Sequence, residues 1–402
     1  MYDTVIVGGG IAGLSIAEHL VHSTNGEMAL VERYPNLGGR IVTNHLPYEY
    51  EIGAGRIHKH HMLVRRLVDR FRLQTYPIHS DSFYKGEPNE FQRLFDPLRS
   101  ALESIDPSLL GKHTIAELLP KELHPILRMF PYYAETHILR ADLALPLFKT
   151  TGVMSNTAEY YGIKGGIDQL IHHLHEALTS TRLNILTRHR VEDIIQHPSG
   201  LFEITGSHGE KANPTEFTIV CKRVIVATEY RSFRKFTILQ NASFVKHLTD
   251  SRLIRIYAVY PIVQGKVWFH DLPKTVTTNP LRYIIPINAE KGLIMISYTE
   301  GQDAEAWHTK NGTELIEAIQ SELSKLYPDR EIPYPIYMKQ HDWPQGCTYW
   351  KAGEYDLTQT LLEAQNPLPN VYLCGESVHR NQAWVESALE SVECLKETLI
   401  SE

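Results

Sequence analysis

Four cysteines in 402 residues, Cys221, Cys347, Cys374 and Cys394, are too few and too scattered for a disulfide framework, and none forms the CxxC pair that holds zinc. A reducing compartment is therefore expected. No apolar run approaches the roughly 18 residues that a membrane-spanning helix requires, so no membrane span is predicted. Positive charge is also scarce: 40 Lys and Arg against 47 Asp and Glu leave a net charge of -7, which argues against non-specific nucleic-acid binding and faintly favours cationic substrates. Internal repeats, low-complexity tracts and long charge blocks are missing. So is any Ser/His/Asp signature of a nucleophilic hydrolase. A strand signal starts within a few residues of Met1, which leaves no room for a signal peptide, and the C-terminus carries no address, so a cytoplasmic location is expected.

What is present suits a large globular protein. The chain is 43% hydrophobic and 22% charged, and it exceeds the roughly 250 to 300 residues at which a single core stops growing, so two domains are expected. Thr4 to Val7 reads as a short apolar strand, Ile11 to Leu20 has helical periodicity, and Met28 to Val31 is a second apolar strand ending at Glu32. Gly8, Gly10 and Gly13 lie between the first strand and the helix as GxGxxG. In such a unit the first glycine permits the tight turn, the second lets the backbone approach a pyrophosphate, and the third lets helix and strand pack closely. The helix N-terminus supplies free N–H donors. Glu32 is placed to accept hydrogen bonds from a ribose diol, and its charge disfavours a 2'-phosphate, which leaves FAD or NAD rather than NADP.

Two further blocks have the same character. Gly165-Gly166 precedes an amphipathic helix with Ile167, Leu170, Ile171, Leu174 and Leu178 on one face, followed by strand-like segments at 183–186, 191–195, 201–205 and 217–228. Asn370 to Gly375 is a third apolar strand ending in glycine, with a helix from about Trp384. The expected fold class is α/β: a discontinuous Rossmann-type dinucleotide-binding domain made of 1–77, 155–230 and 341–402, with a second, α+β substrate domain made of 78–154 and 231–340.

After Glu32 come Asn36-Leu37-Gly38-Gly39-Arg40-Ile41 and then Tyr50-Glu51-Ile52-Gly53-Ala54-Gly55-Arg56-Ile57. Here the sequence resembles the flavin-containing amine oxidase superfamily, which includes monoamine and polyamine oxidases and the flavin-dependent histone demethylases. The resemblance implies FAD as cofactor and the two-domain architecture of monoamine oxidase and p-hydroxybenzoate hydroxylase. It also implies that Gly39, Arg40, Gly55 and Arg56 run beside the diphosphate and the flavin ring. Val191 would meet the adenine through its backbone, and Tyr372-Leu373-Cys374-Gly375-Glu376 looks like the segment whose acid serves the ribityl and pyrophosphate region. Val385, at the start of the last helix, would aim its N–H at the flavin N1 and O2 edge. One departure stands out: the family's strand at Val224 to Thr228 often runs into a proline, whereas here it meets Glu229.

The resemblance implies oxidation of an amine to an imine by hydride transfer to flavin N5, with molecular oxygen as acceptor. Hydride transfer needs orientation and electrostatics rather than a nucleophilic side chain. Trp384 and either Tyr349 or Trp350 are the candidates for the aromatic walls that hold the substrate nitrogen. Arg255 falls where the family has a flavin-facing lysine, and a guanidinium cannot reproduce a tunable amine; Lys266 is the alternative cation. Cys347 stands loosely where monoamine oxidases attach FAD covalently, with non-covalent FAD as the main expectation. The alternative reading keeps FAD but oxidises a carbon–carbon bond, as protoporphyrinogen oxidases and carotenoid desaturases do. A non-oxidase flavin-binding protein is the third. His58, His60 and His61 read as a solvated helix start rather than a metal site. Arg282 and Tyr283 either line the substrate cavity or belong to a salt-bridged sheet.

Overall fold

The computed structural model describes residues 1–78, 82–85, 88–128, 134–150, 159–210 and 213–400. The boundary expected between 154 and 155 lies outside the described residues. The chain divides into two compact units, one of Met1–Ile78, Tyr160–Asp250 and Tyr355–Glu402, the other of His79–Glu159 and Ser251–Glu354.

The first unit is built on parallel strands. Tyr2–Val7 is the centre, with Met28–Val31 on one side and the long strand Thr215–Val226 on the other, and Leu183–Leu186 and Val371–Leu373 extend the sheet outward. Val5, Ile6 and Val7 are essentially inaccessible, as a strand covered on both faces must be. Helix Ile11–Ser23 supplies Leu14, Ile16 and Leu20 to the same core as Leu170, Leu174 and Leu178 of helix Gln169–Thr179 and Leu389, Val392 and Leu395 of helix Val385–Ile400. Each buried aliphatic side chain of this kind contributes about 1.5–3 kcal/mol. The expected strands at 191–195 and 201–205 are His189–Gln196 and Phe202–His208, which fold as an antiparallel meander onto the first half of Thr215–Val226.

The second unit carries a six-stranded sheet in the order Tyr337–Trp350, Leu248–Val259, Leu293–Glu300, Tyr283–Asn288, Lys274–Thr277, Ser82–Lys85. Helix Gly312–Leu326 covers one face, where Leu315, Ile319 and Leu323 join Ile254, Ile256, Ala258, Ile294 and Ile296. The opposite face is set by a bulge. Ile256 pairs with Ser297 but Tyr257 pairs with Met295, so Ile296 is the extra residue. That extra residue puts Tyr298 and Glu300 on the same face as Arg255. Among the described residues, no helix is long and apolar enough to cross a membrane.

Candidate active site

The glycine turn of the first unit is shaped by close backbone approach. Gly8 has φ +115°, and a Cβ there would stand 2.5 Å from the Ala227 carbonyl; a Cβ at Gly13 would fall 1.9 Å from the Gly8 carbonyl. Gly10 differs, because the nearest atom to its missing Cβ is the Gly38 carbonyl 3.9 Å away, so this side of the turn opens into space. Gly10 also begins helix Ile11–Ser23 with no side-chain cap, leaving first-turn N–H groups available to an anion. Gly38 docks on the turn through its N–H to the Gly9 carbonyl at 2.8 Å, and Gly39 adopts φ +59° beside Gly10. Glu32 is buried. Its carboxylate accepts the Gly9 N–H at 2.8 Å on one oxygen and the Tyr34 N–H at 2.8 Å on the other. Burial raises its pKa, and those two bonds pull the other way. Each oxygen keeps a second lone pair for a ribose hydroxyl.

Arg40 and Glu376, both expected beside the pyrophosphate, are brought together: Nη2 of Arg40 lies 2.9 Å from Oε1 of Glu376. Glu376 also accepts the Ala383 N–H at 3.0 Å and the Ser377 hydroxyl at 3.1 Å. Gly375, at φ +125°, has nothing within 4 Å of a Cβ position, and its N–H is held by Ser391 Oγ at 2.7 Å. Open space at Gly10 and Gly375, an uncapped helix start and a buried acid suit a dinucleotide diphosphate, so the residues present fit FAD. Gly55 follows Ala54, whose N–H bonds to the Arg40 carbonyl at 2.9 Å. Val191 sits at an irregularity in its strand, where the register shifts between Val191 and Asp193. Val385 opens the last helix, directly after Trp384.

Trp384 has company that the sequence did not reveal. The Arg56 guanidinium lies over the Tyr160 ring at 4.8 Å and over the Trp384 ring at 5.5 Å, and those two rings are nearly parallel, 6.3 Å apart. His61 meets Trp384 edge-on at 4.9 Å, and His58 meets Tyr160 at 5.1 Å. His61 immediately precedes helix Met62–Arg70. The solvated helix start expected there is only partly so, since burial, with help from His58 and Arg56, pushes His61 down to about 4. Among the described residues no group of three or more His, Cys, Asp or Glu side chains is placed to hold a metal ion. Glu386 was also missed: its two oxygens accept the N–H groups of Leu63 at 2.8 Å and Val64 at 2.9 Å, capping helix Met62–Arg70.

In the second unit Tyr349 and Trp350 are neighbours on one strand and so face opposite ways. Both are buried. Tyr349 donates to Glu135 Oε1 at 3.3 Å, and burial drives its pKa well above the ordinary value, with Cys347 and Glu135 pushing the same way. Trp350 has no exposed surface, and its backbone carbonyl accepts the Arg140 N–H at 3.1 Å. The Arg255 guanidinium lies over the Tyr298 ring at 5.2 Å, and Tyr298 meets Tyr283 at 5.5 Å. Lys266 is not an alternative on that face: it lies in an exposed reverse turn paired with Val263, beyond the end of the Arg255 strand. Arg282 is wholly buried at φ +60°, donates to the Arg128 carbonyl, and has Nε 3.6 Å from Asp303, the salt-bridged alternative rather than the cavity-lining one. Cys347 is a buried free thiol.

A Rossmann-type sheet with an acid at the second strand end defines a dinucleotide-binding oxidoreductase fold, and comparison with known proteins narrows it. The chain matches the family model for flavin containing amine oxidoreductase over residues 139–392 and that for the NAD(P)-binding Rossmann-like domain over residues 6–71. It is 30% identical over 114 residues to amine oxidase [flavin-containing] A of Equus caballus, a match covering 26% of this chain and 21% of that relative. The L-amino-acid oxidase of Siganus canaliculatus is 21% identical over 465 aligned positions, covering 99% of this chain and 86% of the relative. Among solved structures, putrescine oxidase bound to putrescine superposes with a TM-score of 0.75 at 15% identity, covering 100% of this chain and 99% of the other. The chain belongs to the flavin containing amine oxidoreductase family.

Proposed function

We propose that this enzyme oxidises an amine to an imine, with oxygen as the electron acceptor. FAD, when bound, supplies the hydride acceptor. The observation that carries the reading is the group at the start of the last helix: Trp384, stacked with Tyr160 and edged by His61, forms a rigid aromatic wall directly ahead of the helix N-terminus at Val385. An aromatic face tolerates positive charge growing on a substrate nitrogen, and a helix start stabilises negative charge on the partner that receives the electrons. The neutral imidazole of His61 adds no competing charge at that wall. Within the second unit, we assign the face bearing Arg255, Tyr283 and Tyr298 to substrate handling.

The position of Arg56 favours a narrower substrate class. A guanidinium beside the Trp384 ring repels a simple ammonium ion but offers a bidentate partner to a carboxylate. An amine that also carries a carboxylate satisfies both groups, and the relative matched along almost all of this chain is an amino-acid oxidase. A peroxide-coupled screen of monoamines, diamines, polyamines and amino acids tests the proposal. Peroxide formation with at least one amine or amino acid is the expected result. No turnover with any of them, combined with flavin bleaching by an apolar polycycle, would replace it with carbon–carbon oxidation.

A further inference from the structure

The residue that breaks the family's sequence pattern, Glu229, stands at the mouth of the dinucleotide cradle. Strands Met28–Val31 and Thr215–Val226 flank Tyr2–Val7 and run parallel to it, so all three C-terminal ends emerge together at the Gly8 turn. Arg33 lies just beyond one flanking strand and Glu229 just beyond the other. They meet each other, with Nη1 of Arg33 2.9 Å from Oε1 of Glu229, although 196 residues separate them in sequence.

Each partner is held in place on its own side. Ser232 Oγ donates to the same glutamate oxygen at 2.7 Å, and the Glu229 carbonyl accepts the N–H groups of Ser232 at 3.0 Å and Phe233 at 3.2 Å. The guanidinium of Arg33 lies over the Tyr34 ring at 4.6 Å. Arg33 directly follows Glu32, the acid at the ribose position, and so belongs to the adenosine end of the cradle. Burial alone would raise the carboxyl of Glu229, yet Arg33, Ser232 and Arg40 hold it below its ordinary range. It therefore stays charged in neutral solution. Glu229 has φ -71°, a value proline shares, so a proline fits this backbone angle and would remove both the carboxylate and the N–H that bonds to it.

We propose that the Arg33–Glu229 pair is a clasp across the adenosine end of bound FAD, opening before the nucleotide half can leave. The inference rests on FAD as cofactor, and it makes both residues positioning residues rather than catalytic ones. The pair is partly exposed, 41% for Arg33 and 21% for Glu229, so its effect is modest and sensitive to salt.

The test measures FAD release from the holoenzyme, by the rise in fluorescence of free flavin, for wild type, Arg33→Met, Glu229→Gln and Glu229→Pro. Each variant is expected to release FAD about threefold to fivefold faster than wild type, within the range of partly exposed ion pairs. The visible spectrum of the bound flavin should stay at its wild-type value, and the melting temperature of the holoenzyme should fall by more than that of the apoprotein. Raising salt should speed release from wild type more than it speeds release from the variants. Wild-type release rates in every variant, or salt-independent release from wild type, would overturn the clasp. So would equal destabilisation of apo and holo forms, which would make the pair ordinary structure. Failure of wild type itself to retain FAD would instead refute the cofactor assignment.

Discussion

On the substrate reading proposed above, Arg56 is the side chain that would divide the substrate class. Its guanidinium is planar and always charged, and it is already stacked on Tyr160 and Trp384, so little rotamer entropy is left to lose when an anion arrives. A carboxylate paired in this way gains a charge-assisted hydrogen bond of about 1.5–3 kcal/mol. Arg56→Ala should therefore raise KM for a carboxylate-bearing amine by about tenfold or more, while leaving KM unchanged or lower for the same amine without the carboxylate. Arg56→Lys should recover only part of the loss, since a point charge cannot make the bidentate contact. Steady-state kinetics on a matched amino acid and amine pair decides it: equal effects on both substrates would remove Arg56 from substrate recognition.

At the level of elements, Glu386 ties the last helix to an early one. Its carboxylate satisfies two N–H groups at the start of Met62–Arg70, where no side chain of that helix's own serves as cap. Leaving a buried donor at Val64 unmet costs about 1–3 kcal/mol before relaxation, and the part-buried donor at Leu63 adds less. Glu386→Ala should thus lower stability by about 2–4 kcal/mol in chemical denaturation, and Glu386→Gln, which keeps one acceptor, by about half of that. An unchanged denaturation midpoint in Glu386→Ala would show that water replaces the carboxylate freely. Glu386 also marks the limit of what could be read from the chain. The glycine turn, Glu32 and the helix after Trp384 were legible because each depends on residues a few positions apart, with a backbone geometry that only certain residue types permit. The strands around Tyr2–Val7 were legible as buried apolar runs, but their order in the sheet was not. Pairings across long separations left no local trace: Glu386 with Leu63 and Val64, Arg56 with Trp384, Arg33 with Glu229. Nor did the bulge at Ile296, since periodicity shows which residues alternate but not where the register slips. Adjacency of Tyr349 and Trp350 in sequence likewise conceals their opposite orientations on the strand.

For the whole molecule, the two most depressed histidines place an acid limit on stability. His61 in the first unit and His341 in the second are each pushed from 6.5 to about 4, mainly by burial. His61 is also disfavoured in its charged form by His58, Arg56 and His60, and His341 by Lys339 and Arg255. Between those two values the unfolded chain binds protons that the folded chain refuses, so stability falls as pH drops from about 6.5 toward 4 and rises as pH is restored. A tenfold difference in proton affinity between the folded and unfolded chain is worth about 1.4 kcal/mol at full effect, so two such groups make the loss several-fold larger than one surface ion pair could offset. Glu32 and Glu386 act in the opposite sense, because burial raises their pKa values and their folded forms take up protons more readily as pH falls. The histidines are displaced further from their ordinary values and should prevail. The holoenzyme melting temperature is expected to decline steeply between about pH 6.5 and 5. His341→Gln, which removes one of the titrating groups from a strand outside the flavin cradle, should flatten that decline while changing stability little at about pH 8. A profile equally steep in the variant would assign the acid sensitivity to other groups.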